Sequence, residues 1–233
     1  MASFRKEILG QIERIDTGRI FTFRDLSFET EKTANVAVLL SEQSRKGVLV
    51  RVEKGAYYRP KKSVLELGKL PVYQDEQFRY LTEKLNGYIT GAYIYNKMGL
   101  TEQVATTITI ATPNPVRRFR FKNLDIECVK AYCMDYPDES LVPYLRLLDA
   151  IKDMKRIPGT TGQDIYNRVK SQYFNGYSLP ELEKIVSLAK SYPPRVRKVV
   201  ADILGDIRQT VLQTEMAKTI LPTTRFNLDY KTA

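Results

Sequence analysis

At Gly47 the apolar period of this chain changes from helical to alternating, and that switch limits what its N-terminal part can fold into. Upstream, Phe4, Ile8, Ile12 and Ile15 recur as one stripe at the helical repeat, which predicts a helix over about Ser3 to Ile15. Asp16-Thr17-Gly18 ends it, and Arg19-Ile20-Phe21 reads as a short extended piece. Thr22 is placed to cap a second, very short helix, with Asp25 answering three residues on as in a capping box. A third helix is predicted from about Glu31 to Lys46. Thr30 is its N-cap, Ala34, Ala37, Val38, Leu39 and Leu40 form its apolar side, and Gly47 is its stop. Beyond Gly47, Val48-Leu49-Val50-Arg51-Val52 and Ala56-Tyr57-Tyr58-Arg59 flank Glu53-Lys54-Gly55, a hairpin closed by Pro60.

Lys61 to Val72, with Gly68 and Pro71, reads as a connection. A helix follows from Asp75 to Leu85, then Tyr88-Ile89-Thr90 between Gly87 and Gly91, then a helix through Tyr93 to Met98. Thr106–Thr112, Val116–Lys122 and Leu124–Tyr132 alternate as strands and predict an antiparallel meander. From Pro137 the pattern is helical. Leu141, Leu145, Leu148 and Ile151 share one face, Ser178-Leu179-Pro180-Glu181 is a capping box, and Val196, Val199, Val200, Ile203 and Ile207 mark a longer helix. The fold class expected is α+β: an N-terminal winged helix-turn-helix over 1–62, an α+β segment with antiparallel strands leading into a C-terminal helical bundle over 73–222, and a loosely held tail over 223–233.

With 43% apolar and 27% charged residues, the 233-residue chain is composed like a globular protein. No run approaches 18 apolar residues, and the N-terminus reads as an amphipathic helix rather than a signal peptide, so a cytoplasmic protein without membrane association is expected. Cys128 and Cys133 stand alone at a poor zinc spacing and are expected as reduced thiols. The chain has no histidine. That removes Ser-His-Asp and Cys-His arrangements and the usual neutral-pH proton shuttle. No enzyme, cofactor or metal is expected. Asp125 and Glu127, two apart on one strand, are the best carboxylate pair, but no further acid lies near them in sequence to complete a metal site. Pro158-Gly159-Thr160-Thr161-Gly162-Gln163 has the glycines of a phosphate loop without its Lys-Ser/Thr end, and is read as a turn between helices.

The net charge of +10 is unevenly spread: residues 1–62 carry 13 Lys and Arg against 8 Asp and Glu, half of the excess. A basic segment of this kind suits a polyanion. Three helices, the second very short, and then a basic hairpin follow one another in the order of a winged helix-turn-helix. Such a third helix enters the major groove by its first turn. Lys32, Thr33 and Asn35 are the candidate base readers; Arg45, Lys46, Arg51, Lys54 and Arg59 are the candidate phosphate and wing contacts. About five such contacts predict a log–log salt slope near −4 to −5. A solvated helix end and hairpin would carry the same charges. Arg117-Arg118-Phe119-Arg120 offers a second basic strand, readable as a polyanion contact or as an edge strand protected by charge.

Gly18-Arg19-Ile20-Phe21-Thr22 and the run from Arg45 to Pro60 resemble the N-terminal domain of AbiEi-type antitoxins. Tyr88-Ile89-Thr90-Gly91-Ala92, Met98-Gly99-Leu100-Thr101-Glu102-Gln103-Val104 and Tyr192-Pro193-Pro194-Arg195-Val196-Arg197 resemble later segments of an uncharacterised subgroup of that family. Gln43 departs from the pattern, standing where relatives often place a leucine four residues before the helix-ending glycine. The resemblance implies a prokaryotic antitoxin and autorepressor that binds the operator DNA of its own promoter. It also implies a functional partner, a nucleotidyltransferase-like toxin, countered without a stable complex. The alternative is a protein-interaction module that neutralises a toxin without recognising DNA itself.

Overall fold

The computed structural model describes residues 2–61, 68–133 and 138–232. The middle of the connection predicted over Lys61 to Val72, and the onset of the helical region predicted at Pro137, therefore lie outside the described residues. In chain order a mixed α/β region precedes a helix-rich one. The chain divides into two compact units, Met1–Glu83 and Lys84–Ala233.

In the first unit, α1 (Ala2–Arg14) is followed by β1 (Ile20–Thr22) and a 3-10 turn, Phe23–Asp25. Thr22 and Asp25 form the predicted capping box: the Thr22 N–H donates to Asp25 at 2.7 Å and the Arg24 N–H to the Thr22 hydroxyl. A second 3-10 turn, Thr30–Lys32, leads into α2 (Thr33–Arg45). Thr30 is thus not the N-cap of this helix. It sits inside the turn, where its carbonyl accepts from the Thr33 hydroxyl at 2.5 Å. The strands β2 (Val50–Glu53) and β3 (Ala56–Tyr58) form the hairpin, turned through Lys54 and Gly55. Gly55 has φ +81°, a region costly for any residue with a Cβ. The antiparallel sheet runs β1-β3-β2.

One face of this sheet, with Phe21 and Tyr57, closes on Ile8 and Ile12 of α1 and on Val36, Leu39 and Leu40 of α2. The α1 stripe is the predicted one. The α2 stripe is rotated: Val36, Leu39, Leu40 and Gln43 are buried at i, i+3, i+4 and i+7, whereas Val38 is 59% exposed. Of the expected apolar side, Leu39 and Leu40 are buried, Ala37 is half-buried, and Ala34 and Val38 are exposed, while Val36 and the polar Gln43 take the inward places. The fold accepts Gln43 there, and its carbonyl receives the Val48 and Leu49 N–H groups that start the hairpin.

The edge of β1 is covered by α3 (Gln74–Leu85). The Ile20 N–H donates to Glu76 at 2.6 Å, and Arg79 donates to the Ile20 carbonyl at 2.9 Å while pairing with Glu76. The first unit thus takes in α3 as far as Glu83.

In the second unit, β4 (Tyr88–Thr90), α4 (Ala92–Lys97), β5 (Thr107–Thr112), β6 (Arg118–Phe121) and β7 (Leu124–Lys130) build a sheet of order β4-β5-β7-β6. The expected meander is corrected: β5 and β7 pair in parallel, and β6 lies outside β7. Pro113-Asn114-Pro115 supplies no tight hairpin turn, and Asn114 is instead anchored on the Leu85 carbonyl at 2.7 Å. Ile126 and Cys128 are buried, which suits β7 to an inner position, while Arg118 and Arg120 suit β6 to an edge. Gly87 passes so close to the Ala111 carbonyl that a Cβ would lie 2.2 Å from its oxygen, so β4 requires glycine there.

The helix-rich region comprises α5 (Val142–Asp153), α6 (Gly162–Gln172), α7 (Leu179–Ala189), α8 (Pro194–Asp206) and α9 (Thr210–Ala217). Six of the seven residues from Leu145 to Ile151 are buried in α5, so it is the central helix, apolar almost all round. Its exception in character is Asp149, 1% exposed, which accepts hydroxyls from Tyr88 and Thr90 at 2.9 Å and from Tyr192 at 3.2 Å. Lys152 reaches its other side at 3.2 Å. Burial pushes the Asp149 carboxyl above its usual pKa, and Lys152 and the hydroxyls oppose that shift.

The tail is not loosely held. Tyr230 is buried, stacks on Tyr166 at 4.3 Å and donates to Asp202 at 2.9 Å, while Asp229 pairs with Lys155 and Arg195. None of the helices among the described residues is long and apolar enough to cross a membrane. Removing one partner of a buried ionic network leaves the rest uncompensated, so Asp149→Ala should cost about 3–5 kcal/mol. Urea unfolding followed at 222 nm measures it, and a loss below about 1 kcal/mol would contradict a structural role for this carboxylate.

Candidate functional site

Two regions gather polar chemistry at the surface. The first is the outward side of α2 with the hairpin turn. Here the sequence-predicted residues separate into those held by the fold and those left open. Thr33 opens α2 and its hydroxyl is spent on the Thr30 carbonyl; Asn35 is exposed two residues on. Lys32 is committed: its ammonium lies 2.6 Å from Glu29 and over the Phe4 ring. That contact holds the Glu29 carboxyl below its usual pKa. Farther along, Glu42 is paired with Arg5 at 2.5 Å, which lowers its pKa in the same way.

Arg45 and Lys46 are exposed at the C-terminal end of α2, and Lys54 is exposed at the hairpin turn. Arg51 is exposed on β2, its Nε donating to the Glu53 carbonyl at 3.2 Å. Arg59 differs from the others. Its guanidinium donates to the Glu13 and Ile15 carbonyls, both at 2.7 Å, and so satisfies open carbonyls at the end of α1. Its own carbonyl accepts from the Gly18 N–H. It is a clamp between hairpin and helix, not an open surface cation. Sequence spacing cannot distinguish the two roles, because the partner carbonyls lie more than forty residues away.

The feature that pattern reading missed is Val38. The sequence pattern places it on the apolar side, yet it stands exposed on α2 beside Ala34 and Asn35. The signal is Val36, which shares a helix face with Leu39 and Leu40 at i+3 and i+4 and takes the inward place instead.

The second region is a cleft of about 450 Å³ in the C-terminal unit, lined by Tyr95, Glu127, Lys130, Lys152, Asp153 and Arg156 among others. Its acids are engaged: Glu127 by Arg118 at 2.5 Å, and Asp153 by the Tyr95 hydroxyl at 2.8 Å and by Lys152 at 3.7 Å. Asp125 faces Arg120 at 3.8 Å. The basic strand is thereby matched by acids on β7 and has the form of a charged edge. No group of three or more metal-ligating side chains occurs among the described residues. Cys128 is a buried free thiol whose pKa is raised by burial, and Cys133 is also free. Pro158 to Gln163 forms the expected turn into α6, capped by Thr161 with Asp164.

The model of a family of unknown function, DUF6088, matches residues 7–135, more than half of the chain. Among solved structures, the crystal structure of the RV2827C protein from Mycobacterium tuberculosis is similar, with 12% identity and a TM-score of 0.50. The match covers 95% of this chain and 83% of that one. At that identity the likeness is one of fold alone. A comparison with the curated proteins finds no match.

The two kinds of cation are separable by stability. Arg59→Ala should destabilise the N-terminal unit by about 1–3 kcal/mol through lost charge-assisted hydrogen bonds. Lys54→Ala should leave stability within about 0.5 kcal/mol. Chemical denaturation of both variants measures this, and equal losses would contradict the assignment of Arg59 as a clamp.

Proposed function

The chain belongs to DUF6088, a family of unknown function, and from that premise we propose that it is a DNA-binding transcriptional repressor with an N-terminal winged helix-turn-helix. The observation that supports this reading is the first unit's order of elements: helix, strand, short capped turn, helix, then hairpin, around one core. In this reading α2 is the recognition helix and β2-β3 the wing. The exposed start of α2 enters the major groove, where Asn35 can pair bidentately with adenine. Arg45, Lys46, Arg51 and Lys54 neutralise phosphates and set the register. With Arg59 serving α1, the phosphate contacts number about four rather than five, for a salt slope near −3.6.

The resemblance of the segments from Gly18 to Thr22 and Arg45 to Pro60 to AbiEi-type antitoxins extends the proposal. The repressor acts at its own promoter and is the antitoxin of a nucleotidyltransferase-like toxin, with no stable complex required.

Titrating DNA from upstream of its own gene, by gel shift or anisotropy across a salt series, tests the DNA role. Specific binding should appear at moderate salt, and Arg51→Gln with Lys54→Gln should lower the slope to about −1.8. Absence of specific retardation, or a slope unmoved by the double variant, would refute the assignment.

A further inference from the structure

Resting on the reading of α2 as the recognition helix, we infer that its outward face selects an A·T step, with Val38 contacting a thymine 5-methyl group and Asn35 the neighbouring adenine. The core already uses Val36, Leu39, Leu40 and Gln43, so the helix has no inward place left for Val38. An aliphatic side chain 59% exposed in the middle of a polar helix face leaves apolar surface in water unless a partner covers it.

The neighbours of Val38 on that face define the partner. Ala34 and Asn35 lie four and three residues before it, both exposed, and side chains at these spacings stand side by side on one helix surface. Toward its start the face therefore offers two small apolar groups and one amide, with the half-buried Ser41 and Glu42 three and four residues after Val38. In the major groove, the thymine methyl is the apolar feature of a base edge, and adenine presents the donor and acceptor that an amide matches bidentately. The groups that would read guanine are absent from the middle of this face: Lys32 is bound to Glu29, and Arg45 lies at the far end of the helix. Glu42, a possible cytosine reader, is bound to Arg5. The exposed cations Arg45, Lys46 and Lys54 lie beyond this mid-face, and their charge suits a duplex rather than an apolar protein surface. The rise from Asn35 to Val38 is about 4.5 Å along the helix, comparable to one base-pair step.

The test uses the full chain and a random duplex pool. Binding sites are selected, and the preferred site is then remade with each thymine singly replaced by uracil, which deletes only the methyl group. In a parallel set each adenine is replaced by 7-deazaadenine. One uracil position should weaken binding about three- to five-fold, and the same substitution should cost nothing further in Val38→Ala. A 7-deazaadenine adjacent to it should weaken the wild type but not Asn35→Ala. Both residues are exposed, so thermal unfolding of the variants should match the wild type. Specific binding without any uracil penalty, or a penalty that persists in Val38→Ala, overturns this inference and leaves the DNA role standing. Failure to enrich any sequence, with no salt-dependent binding, overturns both.

Discussion

The N-terminal unit depends on three residues, Ile20 to Thr22. A strand this short has little to hold it, yet it joins α1 to the turn before α2 and pairs with β3, the middle strand of the sheet. Its ladder to β3 serves one side. Its outer side is served by α3, where Glu76 accepts the Ile20 N–H and Arg79 donates to the Ile20 carbonyl. Because Glu76 and Arg79 also pair with each other, the two groups that close the edge are held in place by their own attraction. An edge strand that would otherwise offer unpaired backbone groups is covered, and the hairpin is fixed to the helices through it. Any role for the outer face of α2 rests on this closure, since the orientation of α2 is set by packing against Phe21 and Tyr57 of the same sheet.

How far this was readable in the sequence depends on how local each determinant is. The Phe4-Ile8-Ile12-Ile15 stripe, the Thr22–Asp25 box and the Ser178–Glu181 box are decided within a turn or two, and all are present. The rotation of α2 was not readable. The expected apolar side of Ala34, Ala37, Val38, Leu39 and Leu40 leaves out Val36 and Gln43, both of which the fold buries. What favours that rotation is a nonlocal demand, the packing of Val36, Leu39 and Leu40 into one core with Phe21 and Tyr57 of the sheet and Ile8 and Ile12 of α1. The parallel pairing of β5 with β7 was hidden for a similar reason. Alternation shows that a segment is a strand and says nothing of its neighbour, and the anchoring of Asn114 on Leu85 joins positions 29 residues apart.

The C-terminal unit shows the same limit in polar form. Asp149 was invisible because nothing around it in sequence announces a buried acid. Its donors come from Tyr88, Thr90 and Tyr192, at separations of 61, 59 and 43 residues. The tail misled in the opposite direction: a short polar segment after the last helix reads as loose, but Tyr230 finds a ring to stack on and a carboxylate to satisfy its hydroxyl. In both cases a tyrosine combines apolar bulk with a polar tip, which helps explain how a chain with 15 tyrosines and no tryptophan builds cores that tolerate carboxylates.

Charge raises the hardest question of legibility, because a count treats every cation alike. The excess of positive charge in residues 1–62 directed attention to a polyanion, but the structure divides those cations by occupation. Arg59 caps α1, Arg5 holds Glu42 and Lys32 holds Glu29, so each is partly neutralised or turned toward backbone. Arg45, Lys46 and Lys54 remain exposed at the end of α2 and at the hairpin turn. The open positive surface of the N-terminal unit is therefore narrower than the net charge suggests. Its cations stand at the C-terminal end of α2 and at the hairpin turn, while Ala34, Asn35 and Val38 on the outward α2 face are uncharged. On the proposed DNA-binding reading, phosphate contacts fix position and neutral groups discriminate bases, and this division of charge is the one that reading requires.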